Sequence, residues 1–461
     1  MLSYLRKKTK VIMIVVAIVF VGSMFYGLGF SGLQQMSNDK SSAFLKVNGK
    51  DVDPMRFNSI FGRLRQNFPE QISPSDLLFL QNLALSQTID FSVMLDEARK
   101  KVRISGGDLD AAIEQVAKQQ KFTNVAEFKR AIERSNMSWS NFRKMIKDEM
   151  IVQKVMGDIR NSVSVGPNDL REVRASHILI TIKPGPDSDK KAKELALDLQ
   201  KRIMNGEDFA ALAKKYSEDP GTKSKGGDLG FFATGSMVKP FEDLAFSLKI
   251  NEIGGPVKTD FGYHLIKTTD ARLRKIKDKS DVEAAIRQEK QEKAFQEWFY
   301  KLKQKAKIEI LDHNMKALDF RFKGKISEAI EEYNKAITAN PTNAYSKLFL
   351  GMLYEDTGNA KKAIALYQEA AKIEAADPSI YLLLGKALLK NKQRADAVAQ
   401  FNKASLISGD NKGMHKSLEK TFIELKMGDL AAAERAEILR IERKEAFEQG
   451  LQDKLNKIKT D

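Results

Sequence analysis

Apolar positions along this chain change their period several times, and each change marks a new segment. Val11 to about Phe30 is a largely apolar run of 20 residues without a charge. Phe44-Leu45-Lys46-Val47-Asn48-Gly49 alternates like a short strand closed by an Asn-Gly turn. Phe57, Ile60, Phe61 and Leu64 then recur at helical spacing behind Asp53-Pro54, an N-cap followed by an N1 proline. Ser73-Pro74 opens a longer helix bearing Leu77, Leu80, Leu83 and Leu95, and further helices are predicted after Gly106-Gly107, near Asn124 and from Ser138 to Met150. Their Phe, Leu and Met stripes read as core, with a greasy client-binding groove as the alternative, since flexible Met side chains adapt to varied partners.

Val165-Gly166-Pro167-Asn168-Asp169 reads as a linker. Beyond it the period shifts to two. Val173 to Ile182 is strand-like, Ser188 to Asn205-Gly206 is a helix with Ala192, Leu195, Ala196, Leu199 and Ile203 on one face, and Asp208 caps a second helix. A short strand over Asp228–Phe232, a helix opened by Lys239-Pro240 and strands at Val257 and Tyr263–Thr268 complete a β-α-α-β-α-β-β order, a compact α/β domain. Lys275 to Gln304 is helical again and ends in the strand-like Lys307–Ile310. That piece is too short to bury its own apolar face, so it is expected to pack back against the N-terminal helices.

After Leu311 a 34-residue period takes over. Ala329, Ala363 and Ala397 keep it, as do Tyr333, Tyr367 and Phe401, and Ala336, Ala370 and Ala404. Ala317, Gly351 and Gly385 form a fourth column, and Phe320, Tyr354 and Leu388 a fifth. Small residues let paired helices approach while aromatics fill the gaps. The pattern resembles tetratricopeptide repeats, an all-α solenoid, with a fourth unit around Phe422–Arg440 that departs from the columns and reads as a polar cap.

The 461 residues imply about three domains at roughly 100–200 residues each. The net charge of +16 comes from 77 basic and 61 acidic side chains. These are interleaved, and no nucleic-acid-reading motif accompanies them, so solvated helix faces near a membrane fit better than a nucleic-acid partner. There is no cysteine; disulfides, thiolate metal sites and a Cys nucleophile are excluded. At 1.5 Å per residue the run from Val11 covers ~30 Å, the hydrocarbon thickness of a bilayer. A cleaved signal peptide would have a shorter apolar core, and Gly27-Leu28-Gly29-Phe30-Ser31 makes a poor cleavage site. The preceding Arg6, Lys7, Lys8 and Lys10 place the N-terminus in the cytoplasm and the bulk of the chain outside, in a bacterium the periplasm.

Only four histidines occur, and His177 and His264 sit mid-strand in similar apolar frames. With Asp219 they could supply three metal ligands, but no H-x-x-x-H spacing accompanies them. A Ser-His-Asp hydrolase lacks its Gly-x-Ser-x-Gly turn. Gly226-Gly227-x-x-Gly230 precedes a strand instead of opening a helix, so it reads as a turn and close-packing device. The two imidazoles could also be core residues bonded only to each other.

The residues Arg174-Ala-Ser-His177-Ile-Leu, Gly226-Gly-Asp-Leu-Gly230, Met237-x-Lys-Pro-Phe-Glu242 and Phe261-Gly-Tyr-His264 resemble, in order, a parvulin-type peptidyl-prolyl cis/trans isomerase domain. Val47-Asn48-Gly49, the helix pattern and Ala306–Ile310 are similar to membrane-anchored periplasmic foldases of the PpiD and SurA type. The resemblance implies a floor of His177 and His264 joined by Thr259, and a pocket of Leu229, Met237 and Phe241 around the proline ring. Asp219 stands near the substrate carbonyl, with a plain turn residue before Pro220 as the other reading. No cofactor or metal is implied. Lys183–Asp187 has no arginine, against phosphate recognition.

The expected domains are 1–33 anchor, 34–166 chaperone-like helices completed by 273–310, 172–271 isomerase, 311–445 repeats and 446–461 tail. The implied function is an anchored isomerase and chaperone in the inner membrane. Its partners would be unfolded exported polypeptides with Xaa-Pro bonds and an unidentified protein at the repeat groove. A holdase or docking scaffold with an inactive isomerase domain is the alternative.

Overall fold

The computed structural model describes residues 43–458, apart from 67, 69–71, 136 and 277–280. The expected membrane helix over residues 11–30 lies outside these. Among the described residues no helix is long and apolar enough to cross a membrane. The chain forms two compact units, one of the residues up to Val155 together with those from Phe299 onward, the other of Met156–Trp298.

The first unit begins with strands β1 (Leu45–Val47) and β2 (Lys50–Asp51), joined by Asn48 and Gly49, both at positive φ. This is the geometry an Asn-Gly hairpin turn requires. Strand β7 (Ile308–Ile310) pairs antiparallel with β1, Leu45 opposite Ile310 and Val47 opposite Ile308. Asn48 fastens the junction: its side-chain oxygen accepts the Lys307 N–H at 2.9 Å, and its amide donates to Asp96 at 2.8 Å. The segment before the repeats therefore closes back on the N-terminal strand.

Helices α1 (Pro54–Arg65) and α2 (Pro74–Lys101) are capped by Asp53 and Ser73, whose side chains accept N–H groups of the first turn. Helices α3 (Gly106–Gln119), α4 (Val125–Arg134) and α5 (Trp139–Asn161) carry the Phe and Met stripes. Phe128, Phe142, Met145, Ile146 and Met150 are buried together in one cluster. Those stripes are core, and the groove alternative does not apply to them.

The repeats form helix pairs α10 (His313–Phe322) with α11 (Ile326–Ala339), α12 (Ala344–Asp356) with α13 (Ala360–Ile373), and α14 (Pro378–Lys390) with α15 (Arg394–Ser408). A Cβ on Gly351 would lie 2.6 Å from the Tyr367 ring, and one on Gly385 2.4 Å from Phe401. The small and aromatic columns thus meet face to face. The fourth unit differs from the expected polar cap helix. Helices α16 (Lys412–Glu424) and α17 (Gly428–Ile458) form a further pair, each starting 34 residues after its predecessor. Buried Phe422 and Ala431 hold their columns while Arg435 and Ile438 do not. Helix α17 also runs unbroken through the expected boundary between 445 and 446. Met315 and Leu318 of α10 share one buried cluster with Leu77, Leu80 and Leu85 of α2, so the repeats grow out of the N-terminal core.

The second unit contains a four-stranded antiparallel sheet in the order β4-β3-β6-β5, with β3 (Arg171–Ile180), β4 (Asp228–Ala233), β5 (Ile253–Thr259) and β6 (Gly262–Leu273). Side chains alternate across it. Ile178, Ile180, Tyr263 and Leu265 pack on one face against helices α6 (Ser188–Met204) and α7 (Phe209–Tyr216). Val173, Ala175 and Ile266 pack on the other against Phe241, Ala245 and Phe246 of α8 (Lys239–Ser247). Residues 165–169 are more than a linker: Pro167–Leu170 forms a 3-10 turn with Asp169 buried. Helix α9 (Val282–Lys305) follows β6.

Because Gly385 lies under the Phe401 ring, Gly385→Ala overfills that contact and destabilises the repeats by about 1–3 kcal/mol. The check is a lower urea midpoint for the far-UV CD transition, with the His177 and His264 NMR signals of the native protein unchanged.

Candidate active site

Register explains why two histidines 87 positions apart meet. On β3 and β6, Leu179 stands opposite His264 and His177 opposite Ile266. His177 and Leu179 share a face because strand side chains alternate, which makes His177 the diagonal neighbour of His264. Both point to the face that carries α8, away from α6 and α7. The rings lie nearly parallel with centroids 5.5 Å apart, and their Nδ1 atoms are 3.2 Å apart. Phe241 covers them edge-on, 5.6 Å from the His177 ring and 5.2 Å from that of His264. His177 is 6% exposed and His264 4%.

The hydrogen bonds continue at both ends. His177 Nε2 lies 2.8 Å from Asp219 Oδ2 and 3.1 Å from Thr222 Oγ1, and His264 Nε2 lies 2.8 Å from Thr259 Oγ1. Asp219 is pulled two ways. Burial pushes its carboxyl pKa up, but hydrogen bonds from the Thr222 hydroxyl, His177 and the Gly221 N–H together hold it below the usual carboxylate range. An ionised carboxylate only accepts, so His177 Nε2 carries a proton. With both rings uncharged, the single proton between the Nδ1 atoms sits on His264. Its bare Nε2 then accepts the Thr259 hydroxyl, which itself accepts the Phe261 N–H at 3.1 Å. Every donor in the chain faces Asp219. Burial first, then the neighbouring His177, lowers the His264 pKa to about 4, against a smaller opposing pull from Asp219.

Local sequence builds the supports. Gly227 passes so close to β3 that a Cβ would lie 2.2 Å from the His177 carbonyl oxygen, and its own carbonyl accepts the His177 N–H at 2.9 Å. The Gly226-Gly227 pair is a close-packing device, at positive φ in both residues. The loop bearing Asp219 is stitched to β3 in several places. Buried Ser217 accepts the Leu179 and Asp219 N–H groups, and the Glu218 N–H donates to the Leu179 carbonyl at 2.8 Å. Asp219 is thus both the turn residue before Pro220 and a partner of His177.

The three pocket candidates lie on the α8 side, with Phe241 buried and Leu229 and Met237 half-buried against the same cluster. Arg174 forks onto Asp228, which also accepts the Gly230 N–H, and this fixes the start of β4 around Leu229. Glu242 reaches back from α8 to accept the Gly235 N–H at 2.6 Å and the Met237 N–H at 3.5 Å, setting the lip that carries Met237. Thr222 and Glu242 escaped the sequence reading of the site. Thr222 is marked only by its three-residue step from Asp219, and Glu242 by its place in the Met237–Glu242 motif.

The geometry also bears on the other chemistries. The imidazole nitrogens face each other, Asp219 and the two threonines, so their lone pairs do not converge on a common point as metal ligands must. Ser217, the serine closest to Asp219 in the loop, bonds to backbone N–H groups and to neither imidazole.

Residues 162–272 match the family described as PPIC-type PPIASE domain, and residues 1–156 the SurA-like N-terminal domain. Residues 314–379 and 356–420 match tetratricopeptide repeat families. Among curated proteins, the foldase protein PrsA of Caldanaerobacter subterraneus subsp. tengcongensis is 28% identical over 325 residues, 65% of this chain and 96% of that protein. Foldase protein PrsA 3 of Bacillus anthracis is 34% identical over 263 residues, 56% of this chain and 81% of that one. A crystal structure of the peptidylprolyl isomerase PrsA from Bacillus anthracis is 31% identical, covers 46% of this chain and 92% of its own, and superposes with a TM-score of 0.27.

Since the His264 pKa falls from an ordinary value near 6.5 to about 4 on folding, the unfolded chain takes up the extra proton first as pH drops. The stabilisation tied to His264 is complete above about pH 6.5 and is lost as pH falls toward 4. NMR titration of its ring protons checks this: they stay at neutral-ring shifts down to about pH 5, where an unperturbed imidazole is already charged.

Proposed function

The chain belongs to the PrsA family of foldases, and we propose that it catalyses rotation about Xaa-Pro bonds over the floor formed by His177 and His264. It is a parvulin-type peptidyl-prolyl isomerase that carries tetratricopeptide repeats. The observation that carries the site assignment is the continuous run of hydrogen bonds Thr259–His264–His177–Asp219 lying under Phe241.

The reaction breaks no covalent bond. Its barrier of ~18–20 kcal/mol is the lost C–N resonance of the amide, so a catalyst must favour the twisted amide over the planar one. Phe241, Leu229 and Met237 would grip the proline ring and hold one side of the bond still. Their apolar surfaces withdraw water that otherwise hydrogen-bonds to the planar, polarised carbonyl. The Asp219 charge, anchored by His177, Thr222 and Gly221, opposes the negative charge that resonance puts on the carbonyl oxygen, and so raises the planar form relative to the twisted one. The imidazoles act as a rigid floor, since each ring nitrogen already has a partner. Thr222 holds Asp219, and Glu242 holds Met237.

The wider reading follows the sequence. Residues 1–33 anchor the chain in a membrane with the remainder outside the cytoplasm, in the layout of the periplasmic PpiD and SurA type. Residues 34–166 completed by 273–310 hold clients, an assignment supported by the β1–β7 pairing. The isomerase occupies 172–271. The repeats from 311 onward dock a protein partner, and α17 continues them through the tail.

Full-length protein accelerates cis/trans exchange of an Xaa-Pro peptide in two-dimensional exchange NMR. Asp219→Ala lowers kcat/KM by at least about tenfold, which is roughly 1.4 kcal/mol of barrier, and Phe241→Ala raises KM. A wild-type protein with no acceleration would refute the reading. The anchor is tested separately with reporters fused after residue 40: a reporter that works only outside the cytoplasm is active, and a cytoplasm-only reporter is silent.

A further inference from the structure

The lip that carries Met237 is held from two sides, one from α8 and one from the segment ahead of β3. On the α8 side, Glu242 accepts the Gly235 and Met237 N–H groups. On the other side, the Thr234 hydroxyl donates to Asp169 Oδ1 at 2.9 Å. Asp169 lies in the segment that enters the unit, ahead of β3, and is buried. Its other oxygen accepts the Gly166 N–H at 2.8 Å and the Lys290 ammonium at 2.7 Å. Lys290 belongs to α9, the helix by which the chain leaves, and it also donates to the Ser164 carbonyl at 2.9 Å. One carboxylate thus ties the entering segment, the departing helix and the pocket lip together.

We propose that Asp169 and Lys290 are positioning residues that set the proline-gripping lip from the connector side, so that substrate affinity depends on the tie between the segment ahead of β3 and α9. The inference rests on the assignment of Met237 to the proline pocket. Physically, a carboxylate with three donors on two oxygens has little freedom, and its burial makes loss of any donor disruptive. Releasing Thr234 leaves the lip on Glu242 and the Ser236 N–H bond to the Ala233 carbonyl. Met237 then samples more positions, and the grip on the proline ring weakens in ground and transition states alike. Such a loss of uniform binding raises KM and leaves kcat. The imidazole floor lies on β3 and β6, to which the clasp makes no hydrogen bond, so its geometry is unaffected.

The test uses the full chain with Asp169→Asn, Lys290→Met and Thr234→Val, and with Arg202→Met as a control. Arg202 pairs with Glu207 at the end of α6, on the opposite sheet face. Isomerisation kinetics are measured alongside the ε-methyl resonance of Met237 in methionine-labelled protein. The clasp variants are expected to raise KM about 3- to 10-fold with kcat within about twofold. They shift or broaden the Met237 methyl signal while the His264 ring signals stay in place, and Arg202→Met does none of this. Thr234→Val removes one hydroxyl near the surface and serves if the charge variants fold poorly. Unchanged KM with an unchanged Met237 signal in Thr234→Val overturns the proposal. So does a fall in kcat with moved His264 signals, which would place the effect on the floor. Should the wild type show no isomerisation, the reading of the site fails instead, and the Met237 resonance alone still decides whether the clasp sets the lip.

Discussion

Two imidazoles can share one proton at 3.2 Å only while the sheet beneath them keeps its register. A slip of one residue between β3 and β6 would send one ring to the α6/α7 face and leave the other with an unpaired buried nitrogen. The ten-residue β3 resists that slip by burying residues on both faces, Ile178 and Ile180 on one and Val173 and Ala175 on the other. The hydrogen bonds of the site therefore depend on hydrophobic burial that never touches a substrate.

Around that fixed floor, two of the parts that would meet a client lie on short connections, Asp219 in the loop after α7 and Met237 in the lip before α8. Leu229 lies at the start of β4, beside the irregularity in its pairing with β3. Each is held by a buried or half-buried polar side chain that accepts backbone N–H groups: Ser217 for the Asp219 loop, Asp228 for the start of β4, Glu242 for the lip. An acceptor with two fixed donors limits a loop at the expense of few residues.

The first unit follows a different logic. Its three-stranded sheet takes its edge strand from residues 308–310, and the first repeat helix buries Met315 and Leu318 in the same cluster as the N-terminal helix α2. Thereafter stability passes from pair to pair through aromatic rings set against Gly351 and Gly385. The last pair keeps Phe422 and Ala431 but drops the remaining columns, as a terminal repeat with one solvent face can.

The sequence by itself determined what local physics determines. Period-two and 3.6-residue patterning, Asp and Ser caps, the Asn-Gly turn and the 34-residue columns located nearly every described element and the strands that carry the histidines. The motifs also carried the resemblance that implies Leu229, Met237 and Phe241 as pocket candidates. Tertiary structure decided the rest. The facing of His177 and His264 depends on register between strands far apart in sequence, and Thr222 joins them only because Asp219 folds into a turn. The role of Asp169, which reads as part of a linker, comes from Lys290, 121 positions away. A buried carboxylate is recognisable by its donors, and those donors converge only when the chain is folded, so no window of sequence could reveal it.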